Sequence, residues 1–275
     1  MTKSYEELTI ADDFMFGKVM EDRELCREVL ECLLGQPVGN LEEVETEREF
    51  RYFTDGKPVR LDVYTRDTGH VYDAEMQNLN RQRIENLELP KRSRFYQSMM
   101  DVDYLRKGKP YRELPEGKVL FLCTFDPFGK GCAKYSFQNR CEEYETLYLR
   151  DGTEKIFYNC VCREEELPGH LKILYHYITT GQVQDNLTQR IEEAVGKARK
   201  NEMWRSEYMK ELLHDDDVKE EGRAEGRIEG IETGIACAIS ICKELGLSFG
   251  ETSERIRSKF QLPEEEVQQD MKKYW

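Results

Sequence analysis

The sequence predicts an α/β fold, a central mixed sheet flanked by helices over residues 1–182, followed by a helical C-terminal region over 183–275. Three observations carry that prediction. Residues 59–64 and 71–77 are two runs rich in β-branched and aromatic residues, split by Arg66-Asp67-Thr68-Gly69, which is turn chemistry. Residues 118–125 form an apolar run of strand length, the pattern of a strand buried on both faces. Around these runs apolar residues recur at helical spacing, and after residue 182 helical spacing is all that is found.

Taken in order, residues 11–35 read as a helix interrupted at Glu21-Asp22. Phe14, Phe16, Val19 and Met20 precede the break; Leu25, Val29, Leu30, Leu33 and Leu34 follow it, and Gly35 with Pro37 marks the stop. Residues 42–53 alternate polar and apolar side chains and read as a first strand. The hairpin comes next. If Thr68-Gly69 is a two-residue loop, paired positions sum to a constant and Asp62 lies opposite Glu75. Facing residues have Cβ atoms roughly 5 Å apart, where like charges destabilise a sheet. A four-residue loop moves the partner to Asp73 and leaves Glu75 a diagonal neighbour, and a bulge breaks the parity. Either way carboxylates converge on one face, and a divalent cation is the most economical reason for them.

Residues 80–105 read as a helix restarted near Pro90, with Phe95, Met99, Val102 and Leu105 at helical spacing, ended by Lys107-Gly108-Lys109-Pro110. The buried strand at 118–125 closes on Asp126-Pro127-Phe128-Gly129. Two shorter strands follow at 133–137 and 156–162, with the turn-forming Arg150-Asp151-Gly152 between them, and a helix from 167 closes at Gly181. Residues 185–213 read as a helix with Leu187, Ile191, Val195 and Ala198 on one face, and His214-Asp215-Asp216-Asp217 as a charged break. From 221 to 235 a Glu-Gly tetrad repeats, placing Gly222, Gly226, Gly230 and Gly234 every four residues. Each glycine inside a helix costs about 1 kcal/mol against alanine, so four cost on the order of 4 kcal/mol. The spacing lays them on one stripe that another backbone can approach. A helix–helix contact, within the chain or between copies, is one expectation; a half-formed linker is the other. Short helices at 237–245, 247–260 and from Pro263 complete the tail.

Composition narrows the function classes. A net charge of −14 argues against indiscriminate electrostatic binding of nucleic acid. Yet residues 81–118 carry ten Lys and Arg against six Asp and Glu, an excess of four positive charges, with Tyr96, Tyr104 and Tyr111 interleaved. No apolar run is long enough to span a bilayer and no signal-peptide core is found, so a cytoplasmic location is expected. Nine cysteines without a Cys-x-x-Cys pair fit a reducing compartment. His70, His170, His176 and His214 are too scattered for a zinc hydrolase. There is no phosphate-cradling glycine loop after a strand and no nucleophile elbow.

Asp62 followed by Glu75-Met76-Gln77 resembles the core of the PD-(D/E)XK nuclease superfamily. Asp13-Phe14-Met15-Phe16-Gly17-Lys18-Val19-Met20, Asp73-Ala74-Glu75-Met76-Gln77, Arg94-Phe95-Tyr96-Gln97 and Phe121-Leu122-Cys123-Thr124-Phe125-Asp126-Pro127-Phe128-Gly129 resemble its transposase-like branch, the recombination-promoting nucleases. The resemblance covers roughly residues 8–180, and Glu-Gly tetrads are also a habit of that family. It implies a restriction-endonuclease-like fold and a Mg²⁺ (or Mn²⁺) dependent DNA endonuclease of the bacterial cytoplasm, tied to recombination, mobile elements or phage defence. By the same resemblance Asp62, Glu75 and the carbonyl of Met76 ligate the metal. Asp13 orients a water or adds a ligand, with Glu21 as the fallback. Gln77 stands where the superfamily usually has lysine, and an amide offers hydrogen bonds without charge. Lys91, Arg92 or Arg94 on the following helix are candidates for the missing charge. Lys91, Arg92, Arg94, Tyr96 and Gln97 are the expected DNA contacts. The partners expected are DNA and a second copy through the striped helix at 222–234, with no membrane. The alternative function is a catalytically degenerate DNA-binding or protein-interaction module of the same fold.

Overall fold

The computed structural model describes residues 3–50, 59–78, 88–105, 108–163 and 167–275, the side chains at 215, 217 and 221 excepted. It divides into two compact units, Met1–Ser206 and Glu207–Trp275. The expected boundary after residue 182 is therefore displaced. The helix that follows, α5 (Asn186–Ala198), belongs to the first unit because Ile191, Val195 and Ala198 are buried there. Tyr5 donates to the carbonyl of Ala198 at 2.7 Å, and Arg190 pairs with Glu28.

The first unit is α/β. Its strands are β1 (Val44–Phe50), β2 (Val59–Arg66), β3 (His70–Gln77), β4 (Glu116–Cys123), β5 (Lys134–Phe137) and β6 (Thr153–Asn159), in the sheet order β1-β2-β3-β4-β6-β5. β1, β2 and β3 are antiparallel, β3, β4 and β6 are parallel, and β5 runs antiparallel at the edge. Val119–Cys123 is wholly buried, as its unbroken apolar run requires of a central strand. The helix α3 (Leu89–Tyr104) makes the crossover from β3 to β4 and covers one sheet face. Tyr64, Val71, Tyr96, Met100, Val119, Phe121 and Phe157 meet beneath it. The helices α1 (Asp13–Met20) and α2 (Arg23–Leu34) lie where the interruption at Glu21-Asp22 is read. Asp22 caps α2 by accepting from the N–H groups of Glu24 and Leu25, and Gly35 closes it in the left-handed region at φ 68°. α1 packs on β1, β2 and β3, and α4 (Gly169–Thr180) and α5 pack on α2.

The hairpin takes the two-residue loop. Val63 faces Ala74, Tyr64 faces Asp73, Thr65 faces Tyr72 and Arg66 faces Val71, and Asp67 N–H donates to the His70 carbonyl at 3.0 Å. The Asp67 carboxylate holds the turn, accepting from the N–H groups of Gly69 and His70 and from the Tyr72 hydroxyl. α3 begins at Leu89 with Pro90 in its first turn, a favoured place for proline. The expected helical residues 80–87 and strand residues 51–53 lie outside the described residues.

Two expectations for the tail are corrected. The helix expected over 185–213 is broken at 199–201, where Asn201 accepts from the N–H groups of Met203 and Trp204 and starts α6 (Glu202–Glu244). The charged break at 214–217 is not a break: α6 runs through it and through the whole tetrad repeat, since no proline stands there to stop it. Gly222, Gly226 and Gly230 face no neighbouring atom, and Gly234 alone of the four meets another helix, Phe260 lying 3.5 Å from where its Cβ would be. An intrachain contact along the full stripe is thus absent among the described residues. In the second unit Ile235 and Ile239 pack with Ile256, Val267 and Met271 of α7 (Phe249–Phe260) and α8 (Glu264–Tyr274). Ser248 and Glu251 form the capping box of α7. Among the described residues no helix is long and apolar enough to cross a membrane.

Candidate active site

The β2–β3 ladder is regular as far as Val63 and Ala74, and there it changes character. Asp62 N–H donates to Glu75 Oε1 at 2.9 Å, and Met76 N–H donates to Asp62 Oδ2 at 3.0 Å. Each carboxylate has taken an N–H of the opposite strand, so two acids that repel each other are cross-braced by the backbone between them. Each acid spends one oxygen on this brace.

A third acid stands beside them. Asp73, two residues before Glu75 and so on the same sheet face, is fully buried, and neither of its carboxylate oxygens has a protein donor. Burial first, and neighbouring carboxylates second, push all three acids well above the ordinary carboxylate range. Glu75 and Asp13 act on Asp62, Asp62 acts on Asp73, and Asp73 acts on Glu75. Asp62 is only partly buried by exposed area; its carboxyl, drawn between the strands, is the part that burial affects. As acceptors only, Asp73 and Glu75 cannot bond to each other.

The positive charge comes from the first turns of α3. Arg92 Nη2 lies 3.2 Å from Glu75 Oε2, and its Nη1 donates to Gln77 Oε1 at 3.0 Å. Tyr96 holds the guanidinium from behind, accepting from Nε at 3.1 Å and Nη2 at 2.8 Å. Gln77 Nε2 in turn donates to the Met76 carbonyl at 3.1 Å. The Gln77 amide is therefore a spacer: one end fixes Arg92, and the other takes up a carbonyl on the strand.

Asp12, Asp13, Asp62, Met76, Gln77, Asn78 and Arg92 line a cavity of about 320 Å³ at this end of β3. Asp13, opening α1, accepts from its neighbour's N–H at 2.8 Å and faces that cavity. Glu21, the fallback, pairs with Lys18 at 3.4 Å and accepts from Thr46 at 3.2 Å, and does not line it. The five expected DNA contacts separate. Arg92 and Tyr96 belong to the acid cluster, while Lys91 pairs with Glu88 on the surface and Arg94 is exposed. Gln97 is buried and donates to Asp101; it presses on Gly117, at the opposite end of β4 from Cys123, the residue beside Gln77. That placement takes Gln97 away from the cavity. Asp73, which is not among the expected ligands, is at the centre of the cluster, and Asp12 and Asn78 are walls that the sequence does not single out. An Asp-Asp pair before an apolar helix was the available signal for Asp12.

Among the described residues no three His, Cys, Asp or Glu side chains stand together as a ready-made cation cage. The donor set is nevertheless the one a hard divalent cation takes, carboxylates with a backbone carbonyl. The two buried oxygens of Asp73 that no protein donor reaches are acceptors that a cation would offset. In donor type the residues suit such an ion, while Glu75 spends Oε1 on the Asp62 N–H and Oε2 on Arg92, and the Met76 carbonyl accepts from Gln77. Compared with known protein families, with curated proteins and with solved structures, the chain matches none.

Proposed function

We propose that the first unit is a restriction-endonuclease-like domain that hydrolyses DNA phosphodiesters with Mg²⁺ (or Mn²⁺), as the PD-(D/E)XK nucleases its motifs resemble do. The single observation that carries the reading is the cross-braced Asp62–Glu75 pair, with Arg92 pinned beside it by Gln77 and Tyr96. The antiparallel β1-β2-β3 meander leading through α3 into parallel β4 supports the same reading.

Asp62, Glu75 and the Met76 carbonyl would hold the cation, with Asp13 facing the same cavity. When bound, the cation supplies Lewis acidity toward the phosphodiester and toward water. Arg92 supplies a fixed positive charge where negative charge grows on the phosphorus centre, and its preorganised bonds spare it reorganisation during the reaction. Gln77 positions Arg92. Burial and mutual repulsion raise both Asp73 and Glu75, and a cation needs charged carboxylates, so loading with metal favours higher pH. A role in recombination, mobile elements or phage defence is proposed on the resemblance alone.

A second reading, a DNA-binding module of the same fold that does not cut, draws on Gln77 in place of lysine and on the lack of a ready-made cage among the described residues. Plasmid nicking separates the two. Cutting with Mg²⁺ or Mn²⁺ that is lost in Asp62→Asn and in Glu75→Gln, both still folded, supports the nuclease. Binding without cutting under either metal leaves the second reading.

A further inference from the structure

A second, larger cavity of about 650 Å³ adjoins the first, and Asn78 lines both. The wall between them is built. Asp12, which lines the first cavity, takes Lys3 Nζ on both oxygens at 2.8 Å, and Lys3 lines the second. Thr124 donates to Asn78 Oδ1 at 3.0 Å, a bond that does not use the donors of the Asn78 amide nitrogen. Ile10, Ala11 and Ile178 give the second cavity an aliphatic floor, and half-exposed Val161 stands at its mouth.

The charges around that floor are already matched. Lys3 is on Asp12, and Arg199 donates to the Leu8 carbonyl at 2.9 Å and lies 3.7 Å from Glu192. The C-terminal end of α4, Thr179 to Gly181, turns the negative end of its dipole to the same space. These features disfavour a phosphate and suit a group with apolar faces and donor edges. We propose that this cavity receives the base and sugar of the nucleotide next to the scissile phosphate. A base reaches it only by leaving the duplex stack, so the preferred substrate is DNA unpaired at that nucleotide. The inference rests on the nuclease reading for the identity of the neighbouring phosphate, and on the cavity alone for the nucleoside.

The test has a cutting arm and a binding arm. In the first, two labelled DNAs of one sequence, one fully paired and one with an unpaired flap, are incubated with Mn²⁺. The wild type is expected to cut the flap DNA about tenfold faster, the difference worth one good base contact. Val161→Trp fills the cavity from an exposed position, and should abolish that preference while cutting of paired DNA is unchanged. Equal rates on the two DNAs, or an unchanged preference in Val161→Trp, overturn the proposal. In the second arm, a short fluorescein-labelled single strand is titrated with protein in Ca²⁺ and followed by anisotropy. Val161→Trp should weaken binding about tenfold, and Glu21→Gln, which lies outside both cavities, should not. Equal binding by wild type and Val161→Trp also overturns it. If no DNA is cut but the binding difference stands, hydrolysis fails and the nucleoside site survives.

Discussion

Replacing Asp73 by asparagine should stabilise the first unit at alkaline pH and do little in acid. Both carboxylate oxygens of Asp73 are buried without a protein donor, beside Glu75 and within reach of Asp62. Leaving one buried polar group unpaired costs about 1–3 kcal/mol. Asparagine removes the charge and presents an NH₂ that donates to Glu75, so most of that cost should be recovered. The sign with pH follows from the raised acids. A group whose folded pKa lies above its unfolded value contributes stability below the unfolded pKa and loses it as pH rises through the folded one. Asp62, Asp73 and Glu75 all move this way, so the wild type should lose stability from about pH 4 upward until they ionise. In a unit of this size each kcal/mol shifts Tm by about 2–4 °C, so Asp73→Asn should melt about 2–10 °C above wild type at pH 8. At pH 4 the two should nearly coincide. Circular dichroism melts at the two pH values measure this. A variant that melts lower than wild type at pH 8 would refute the argument that Asp73 is a charge without a partner.

Arg92→Gln should reduce nicking by about 10²–10³-fold, the usual cost of removing one preorganised donor from a transition-state charge. Adding Gln77→Lys to it should restore much of the rate, because the charge then arises from β3; nicking that stays lost in the double variant contradicts Arg92's role as the source of charge. Asp62→Asn keeps an oxygen to accept the Met76 N–H and removes a buried charge, so it should melt no lower than wild type while nicking disappears, whereas Glu21→Gln should cut normally. If the striped helix seats a second copy, sedimentation should show a dimer that becomes a monomer on truncation before Glu221; an unchanged state contradicts that partner.

Much of the site is legible in the sequence because the hairpin is local. Thr68-Gly69 sets the pairing sum, the ladder keeps it as far as Val63 and Ala74, and Asp62 and Glu75 stand at the next step beyond. The buried strand β4 and the helix boundary at Asp22 are legible for the same reason, each being a pattern of near neighbours. What is not legible depends on distant parts of the chain. Asp73 is buried because β4 lies alongside, Val119 being its partner there, and because α3 covers that face; nothing within a few residues of Asp73 reveals either. Choosing Arg92 over Lys91 and Arg94 required the rotation of α3 about its axis, which its weak amphipathic pattern leaves open. The unbroken course of α6 was hidden by four glycines and an acidic run, residues that weaken a helix without stopping it. The first unit's reach to residue 206 reflects the burial of Ile191 and Val195 on α5, whose periodicity was plain but whose partner was not.

Titration calorimetry with Mn²⁺ at pH 8 tests most directly whether Asp62 and Glu75 share one cation. The wild type should bind a single ion per chain, with the heat lost in both Asp62→Asn and Glu75→Gln and kept in Glu21→Gln. Binding that survives in either of the first two variants, or no binding by the folded wild type, would contradict the shared ion.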